Sequence, residues 1–222
     1  MIVYGSTISP FVRKVVAFAG EKGVEIEVRN AGMGRGGPDF EGASPFRKMP
    51  ALRDPGADGG RDFTISDSTA IVHYLDAKHP EPNLIPTEPI ARARAIWFDE
   101  FADTVMGAVG TKLFFNRFVA PRVLRAGGDP AIADAAERDE LPPVLDYLER
   151  VIPDSGFLLE DRLTLADIAV ASPFVNLRWV GAGVDPARHP RAASYVDAIL
   201  TRPSFAPMIA RDAATVERLL AA

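Results

Sequence analysis

Three short stretches near the start of the chain carry side chains able to do chemistry. Ser9-Pro10-Phe11-Val12 places a hydroxyl directly before a proline, the order expected at a helix N-terminus. Unpaired N–H groups and the positive end of the helix dipole attract an anion there, and the serine can donate one hydrogen bond to it. Such a place suits a thiolate supplied by a cofactor, because the chain has no cysteine of its own. The plainer account of Ser9 is a helix cap, and for the serine by itself that account is the stronger. Met49-Pro50 is an X-Pro pair, the setting in which cis peptide bonds arise. A proline opening an edge strand explains it without any function, and on local grounds better. Asp67-Ser68 opens another helix, where N–H groups and the hydroxyl can hold a carboxylate and Asp67 can take an ammonium. Taken singly, it too is best read as a cap.

The elements that must position these residues follow from periodicity. Ile2, Val3 and Tyr4 form a short β-prone run broken by Gly5-Ser6-Thr7. Phe11, Val15, Phe18 and Ala19 recur at helical spacing until Glu21-Lys22-Gly23, and Val24, Ile26 and Val28 alternate with charged residues as a half-buried strand. A right-handed βαβ unit follows. A glycine-rich loop at 32–37 and an aperiodic stretch to Arg47 either cover something or hold a short helix. Strands at 49–53 and 61–65 flank turn residues from Asp54 to Gly60, and Ser66-Asp67-Ser68 precedes a helix through Leu75. The sum is β-α-β then β-β-α.

After a His79-Pro80-Glu81-Pro82 linker the chain reads as helical. One amphipathic segment spans 90–119, loosened at Gly107 and Gly110, and another spans 131–151. Thr164-Leu165-Ala166-Asp167 has capping-box spacing, with aspartate in place of Glu or Gln. The run 169–180 is apolar on most faces and predicts a central buried helix. Shorter helices are expected at 192–200 and 214–220. The architecture is α/β followed by all-α.

Composition narrows the function. With 222 residues, 47% hydrophobic and 25% charged, the chain can bury a sizeable core. The absence of cysteine excludes disulfide frameworks, thiolate metal sites and a cysteine nucleophile. A net charge of −5 speaks against nucleic acid as a partner. No apolar run approaches a membrane span and the start does not read as a signal peptide, so a soluble cytoplasmic protein is expected. His73, His79 and His189 lack metal-ligand spacing, and no metal is assigned.

Taken together, the three stretches outweigh their single readings. They fall at a strand–helix junction, a loop–strand junction and a helix start of one small domain. With the capping box of the helical half, the chain resembles the cytosolic glutathione transferase family over essentially its whole length. The resemblance is carried by Ser9-Pro10-Phe11-Val12-Arg13-Lys14-Val15, Lys48-Met49-Pro50-Ala51-Leu52, Ser66-Asp67-Ser68-Thr69-Ala70-Ile71, Leu84-Ile85-Pro86 and Leu163-Thr164-Leu165-Ala166-Asp167, in that order and spacing. The Ser-Pro-Phe version looks most like the serine-type classes, such as the plant tau class, in a bacterial-looking sequence.

The resemblance implies a thioredoxin-like glutathione-binding domain over 1–78, a linker over 79–88 and an all-helical substrate-pocket domain over 89–222. It places the thiolate-stabilising hydroxyl on Ser9. Met49 before a cis Pro50 would pair its backbone with the cysteinyl part of glutathione as an added strand does. Phe11 would contribute to the same site, Lys48 would reach the glycyl carboxylate, and Asp67 and Ser68 would hold the γ-glutamyl end. The family usually has Glu or Gln at the Asp67 position, and Ala43-Ser44-Pro45 replaces the common Asn-Pro. Tyr4 and Ser6 rival Ser9 as the sulfur's partner. Tyr4 ranks lower as a strand residue suited to core packing, and Ser6 lacks the helix N-terminus.

The implied reaction is conjugation of glutathione to a small hydrophobic electrophile. Alternatives are isomerisation, ether cleavage or peroxide reduction at the same site, or a binding module with little turnover. Phe11, Trp97, Phe101, Phe114 and Phe115 are the candidate apolar wall, with Phe118 beside them, Trp179 further away and most of the set expected to be core. Arg94, Arg117 and Arg122 suit an anionic substrate or, more simply, solvated helix surface, and Asp134, Glu137, Arg138 and Glu140 read most simply as a solvated helix face. A homodimer is expected from the resemblance.

Overall fold

A computed structural model of the chain describes residues 1–32 and 36–221. It divides into two compact units, Met1–Leu84 and Ile85–Ala222, with the division inside the 79–88 segment.

In the first unit β1 (Ile2–Tyr4), α1 (Pro10–Glu21) and β2 (Glu27–Arg29) make the βαβ unit. A short helix α2 (Gly37–Ala43) follows, then β3 (Ala51–Asp58), β4 (Arg61–Ser66) and α3 (Ser68–Lys78). The sheet order is β2-β1-β3-β4, with β1 parallel to β2 and antiparallel to β3. This is the thioredoxin-like arrangement. Of the glycine-rich stretch 32–37, residues 33–35 lie outside the described residues, and the segment beyond them holds α2. Alternation along β1 puts Tyr4 in a cluster with Ala31, Phe40, Ala43 and Ala51. Val3 and Leu52, opposite one another in register, face the other way and are fully buried.

Strand boundaries differ from the periodic reading in three places. The first is β3, which begins at Ala51, so that Met49 and Pro50 precede an interior strand and do not open an edge one. Val24 and Ile26 stay outside β2, because Gly23 takes a left-handed φ of +69° and the Val24 N–H donates to the Ala19 carbonyl (2.9 Å), closing the end of α1. The β3–β4 hairpin is longer than its turn residues suggest. Asp62 holds the irregular stretch of β3 in place, accepting from the Arg53 guanidinium (2.5 Å) and the Gly56 N–H (3.2 Å). Only Gly59 and Gly60, both at positive φ, form the turn.

The second unit is helical. A continuous run holds α4 (Pro89–Glu100), a π-helical stretch (Phe101–Met106), α5 (Gly107–Phe114) and a second π stretch (Phe115–Val123). The wide turns therefore flank Gly107 and Gly110 rather than sit on them. The second contains Pro121, which has no N–H for an α-helical bond. Next come α6 (Pro130–Ala135), a π stretch (Ala136–Glu140), α7 (Leu141–Val151), α8 (Leu165–Trp179), α9 (Pro190–Leu200) and α10 (Ala206–Ala221). The last two begin earlier than their apolar spacing indicates, since proline is well placed in a first turn whose N–H groups lack intrahelical partners.

The central helix α8 is buried at every residue from Leu165 to Leu177. Its capping aspartate is more deeply bound than a surface cap. Asp167 accepts from the N–H of Leu158 (2.8 Å), the N–H of Thr164 (2.8 Å), the Thr164 hydroxyl (3.1 Å) and the Tyr195 hydroxyl (3.3 Å). Burial pushes its carboxyl up to about 6, the four donors offsetting only part of that effect.

The acidic residues at 134–140 are not a plain solvated face. Arg117 reaches Asp134 (2.8 Å) and Glu137 (2.5 Å), and Lys112 reaches Glu140 (2.6 Å), because this segment packs on α5 and the π stretch after it. Arg138 pairs with its neighbour Asp139 (2.6 Å). The loop between these helices is tied by Asn116, whose Oδ1 accepts from the Asp129 N–H (2.9 Å). Gly128 passes so close that a Cβ there would lie 2.0 Å from the Asn116 carbonyl oxygen. His189, assigned nothing from sequence, is buried with Nε2 2.7 Å from Asp146. It leaves the start of α9 to Glu149 of α7, which accepts from the N–H groups of Arg191 (3.2 Å) and Ala192 (2.9 Å).

Candidate functional site

Ser9 precedes α1 in an extended conformation (φ −71°, ψ 129°), and its side chain makes no cap hydrogen bond. The capping role expected of Ser9 by itself is therefore absent. Its N–H donates to the Ser6 carbonyl (2.9 Å), a turn that leads the half-buried hydroxyl to the first helical turn. Pro10 has no N–H, so the amides that follow it begin the row of donors without intrahelical partners. Of the rivals, Ser6 is engaged locally, its Oγ accepting from the Ile8 N–H (3.4 Å). The Tyr4 ring is buried against Phe40, with centroids 6.3 Å apart.

The Met49-Pro50 peptide is cis. The approach to it is clamped by Ser44, whose Oγ donates to the Lys48 carbonyl (2.7 Å) and accepts from the Lys48 N–H (3.0 Å). This serine, part of the departure from the Asn-Pro pattern, does local work that its spacing alone did not reveal. The exposed Lys48 ammonium makes no hydrogen bond or ion pair with the described residues.

The Pro50 carbonyl accepts from the Asp67 N–H (3.3 Å), which brings the second and third stretches together. Asp67 sits at φ 85° and ψ 133°, a sparsely populated region for a residue with a side chain, of the kind found at functional sites. Its Oδ1 caps α3, accepting from the N–H groups of Thr69 (2.9 Å) and Ala70 (3.2 Å). Ser68 beside it is buried. Three contacts hold the first turn of α3 and its body in place. Lys14 of α1 reaches Thr69 Oγ1 (3.5 Å), and the buried Asp54 of β3 binds Tyr74 (2.7 Å) and Lys78 of α3. Burial works against the Asp54 carboxylate, but Lys78 and Tyr74 outweigh it and hold the carboxyl below its usual value.

The five candidate apolar residues do not form one group. Trp97 and Phe101 stack at 5.4 Å and share Tyr147, which lies 5.7 Å from the first ring and 5.4 Å from the second. Phe114 stacks on Phe118 at 4.9 Å and lies 6.2 Å from Trp179, so that tryptophan belongs beside Phe114. Phe115 is 42% exposed. Phe11 is half-buried in the first turn of α1. Arg117 is held by its two acids, while Arg94 and Arg122 are exposed. Among the described residues no group of three or more His, Asp or Glu side chains is placed to hold a metal ion. Nor is any described helix long and apolar enough to cross a membrane.

Two family models match the chain. The glutathione S-transferase N-terminal domain covers residues 3–83, and the glutathione S-transferase C-terminal domain covers residues 125–198. Glutathione S-transferase 3 of Zea mays is 29% identical over 215 residues, spanning 94% of this chain and 92% of its own. A stringent starvation protein A homolog of Coxiella burnetii is 25% identical over 205 residues, spanning 92% and 89%. Among solved structures, a glutathione S-transferase of Methylobacterium radiotolerans in complex with glutathione sulfonate is 27% identical. It superimposes with a TM-score of 0.73 over 94% of this chain and 93% of its own.

Proposed function

The chain belongs to the glutathione S-transferase family, and we propose that it binds glutathione in its first unit and adds the tripeptide's thiolate to small hydrophobic electrophiles. The observation that carries this reading is the Ser9 hydroxyl, left outside the cap at the start of α1. A free thiol has a pKa of about 8.5, so only a few per cent is thiolate at pH 7. Lowering it by about two units takes roughly 2.7 kcal/mol of preferential stabilisation of the anion. One charge-assisted hydrogen bond at a helix N-terminus is of that order. Ser9 donates, and glutathione supplies the attacking sulfur.

The remaining roles are those that the resemblance to the family implies. The Met49 backbone beside Pro50 pairs with the cysteinyl residue, and the exposed Lys48 ammonium takes the glycyl carboxylate. Ser68 and Asp67 hold the γ-glutamyl end. Since Oδ1 of Asp67 serves the helix, Oδ2 is the oxygen that meets the ligand's ammonium, which suits a side chain one methylene shorter than glutamate. Within the second unit, the exposed Trp97 and Phe115 offer apolar surface suited to a hydrophobic electrophile. No metal takes part, and the cytoplasm, where glutathione is the redox buffer, is the proposed location.

Titration calorimetry with glutathione, paired with turnover of an aryl halide, tests the proposal. Heat of binding with turnover supports it, and absence of binding overturns it. Binding without turnover across halide, peroxide and isomerisable substrates favours a second reading, a binding module; one relative is named as a stringent starvation protein A homolog and not as a transferase.

We also propose a homodimer. Phe46 is 85% exposed on the loop that Ser44 clamps, more than any other large apolar side chain among the described residues. Burying one such ring is worth about 2–3 kcal/mol, and a two-fold contact uses it twice. Phe46→Glu is therefore expected to weaken self-association by about a thousandfold. Sedimentation equilibrium reads this directly, and an unchanged dimer removes Phe46 from the contact.

A further inference from the structure

Gly5 touches both halves of the proposed site. It ends the first strand, is buried, and donates its N–H to the Arg29 carbonyl (2.9 Å). Its φ is +151°, and a Cβ built on it would lie 2.5 Å from Val12 Cγ2 and 3.4 Å from Met49 Cβ. Val12 is fully buried in the first turn of α1, three residues beyond Ser9. A helical valine has one strongly preferred rotamer, so its methyl groups cannot swing aside. Carbon atoms rest about 3.5–4.0 Å apart, so a methyl at position 5 would have to drive β1 and the first turn of α1 apart by about 1 Å.

We propose that Gly5 is a positioning residue: lacking a side chain, it lets the turn that carries Ser9 and the Met49-Pro50 segment close on one another. It thereby sets the distance from the serine hydroxyl to the bound sulfur. The inference rests on the glutathione reading above. A displacement of about 1 Å is enough to take a hydrogen bond from good geometry to none, so Gly5 governs how far the bound thiol is acidified rather than whether glutathione binds.

The test is a spectroscopic pH titration of the thiolate in the glutathione complex. For Gly5→Ala the midpoint is expected to rise by about one unit toward that of the free thiol. Adding Val12→Ala removes the obstructing methyls while leaving any backbone strain at position 5 in place, and is expected to restore at least half of the shift. Val12→Ile keeps the glycine, lengthens the side chain facing it and gives a smaller upward shift, which serves if Gly5→Ala does not fold. A general loss of folding lowers the amplitude of the titration, not its midpoint. An unmoved midpoint in Gly5→Ala, or in Val12→Ile if the former is unfolded, overturns the assignment, as does a double variant no better than Gly5→Ala. If calorimetry shows that the wild-type chain takes up no glutathione, the functional reading fails first and this role falls with it.

Discussion

Ser9→Ala is expected to lower kcat/KM for conjugation by about 10- to 100-fold, the value of one hydrogen bond to an anion. Glutathione should still bind, because Met49, Lys48, Asp67 and Ser68 are the residues proposed to address the rest of the tripeptide. The helix should lose nothing, since the Ser9 side chain makes no cap bond that alanine would remove. These three expectations separate the proposed role from a structural one. A capping serine would cost about 1 kcal/mol of stability and leave the chemistry alone. The measurements are steady-state rates, glutathione affinity by calorimetry and a urea midpoint for the same two proteins. Equal rates would return the search to Ser6, whose Oγ already serves the Ile8 N–H.

The largest expected effect on stability is at Asp167. Its carboxylate receives two backbone N–H groups and two hydroxyls in the interior. Asp167→Ala leaves them without their acceptor, and each unsatisfied buried donor costs about 1–3 kcal/mol, for a combined loss of about 4 kcal/mol or more. Urea unfolding measures it, and a loss below about 1 kcal/mol would mean that water replaces the carboxylate.

The same group makes stability depend on pH. Its carboxyl is pushed up to about 6 in the folded chain from an ordinary 3.8. Between those values the native state holds a proton that the unfolded chain has released. The contribution is therefore complete below the lower value and lost as pH rises through the higher one, a change of the order of 3 kcal/mol. Asp167→Asn cannot titrate, so the stability of wild type relative to this variant should decline from pH 4 to pH 7. A difference that stays flat across that range would show a carboxylate ionised throughout.

The contrast between residues that were legible in the sequence and those that were not has one cause. Ser9, Pro50, Asp67 and Ser68 stand out because helix starts and X-Pro bonds restrict residue types locally, whatever the rest of the chain does. The sequence could not tell whether Ser9 caps its helix, since that depends on the rotamer and the turn from Ser6. Glu149 capping α9 across 42 positions in sequence, and Arg117 drawing in Asp134 and Glu137, had no local signal at all. Charged residues on a helix look alike until the neighbouring helix is in place.

The five aromatic candidates show the same limit. Helical spacing marked them as apolar, but their division into a Trp97–Phe101–Tyr147 group and a Phe114–Phe118–Trp179 group depends on rings contributed by distant helices and on the wide turns of the long helical run. Periodicity assumes a constant advance per residue, and π turns break it. The sequence by itself determined the two-part architecture, the helix starts that suit anions and the buried central helix, all set by backbone preference and hydrophobic pattern over a few residues. Only tertiary structure decided which hydroxyl stays outside its cap, which carboxylate is buried and which glycine lets two segments meet, because each depends on distances between atoms far apart in the chain.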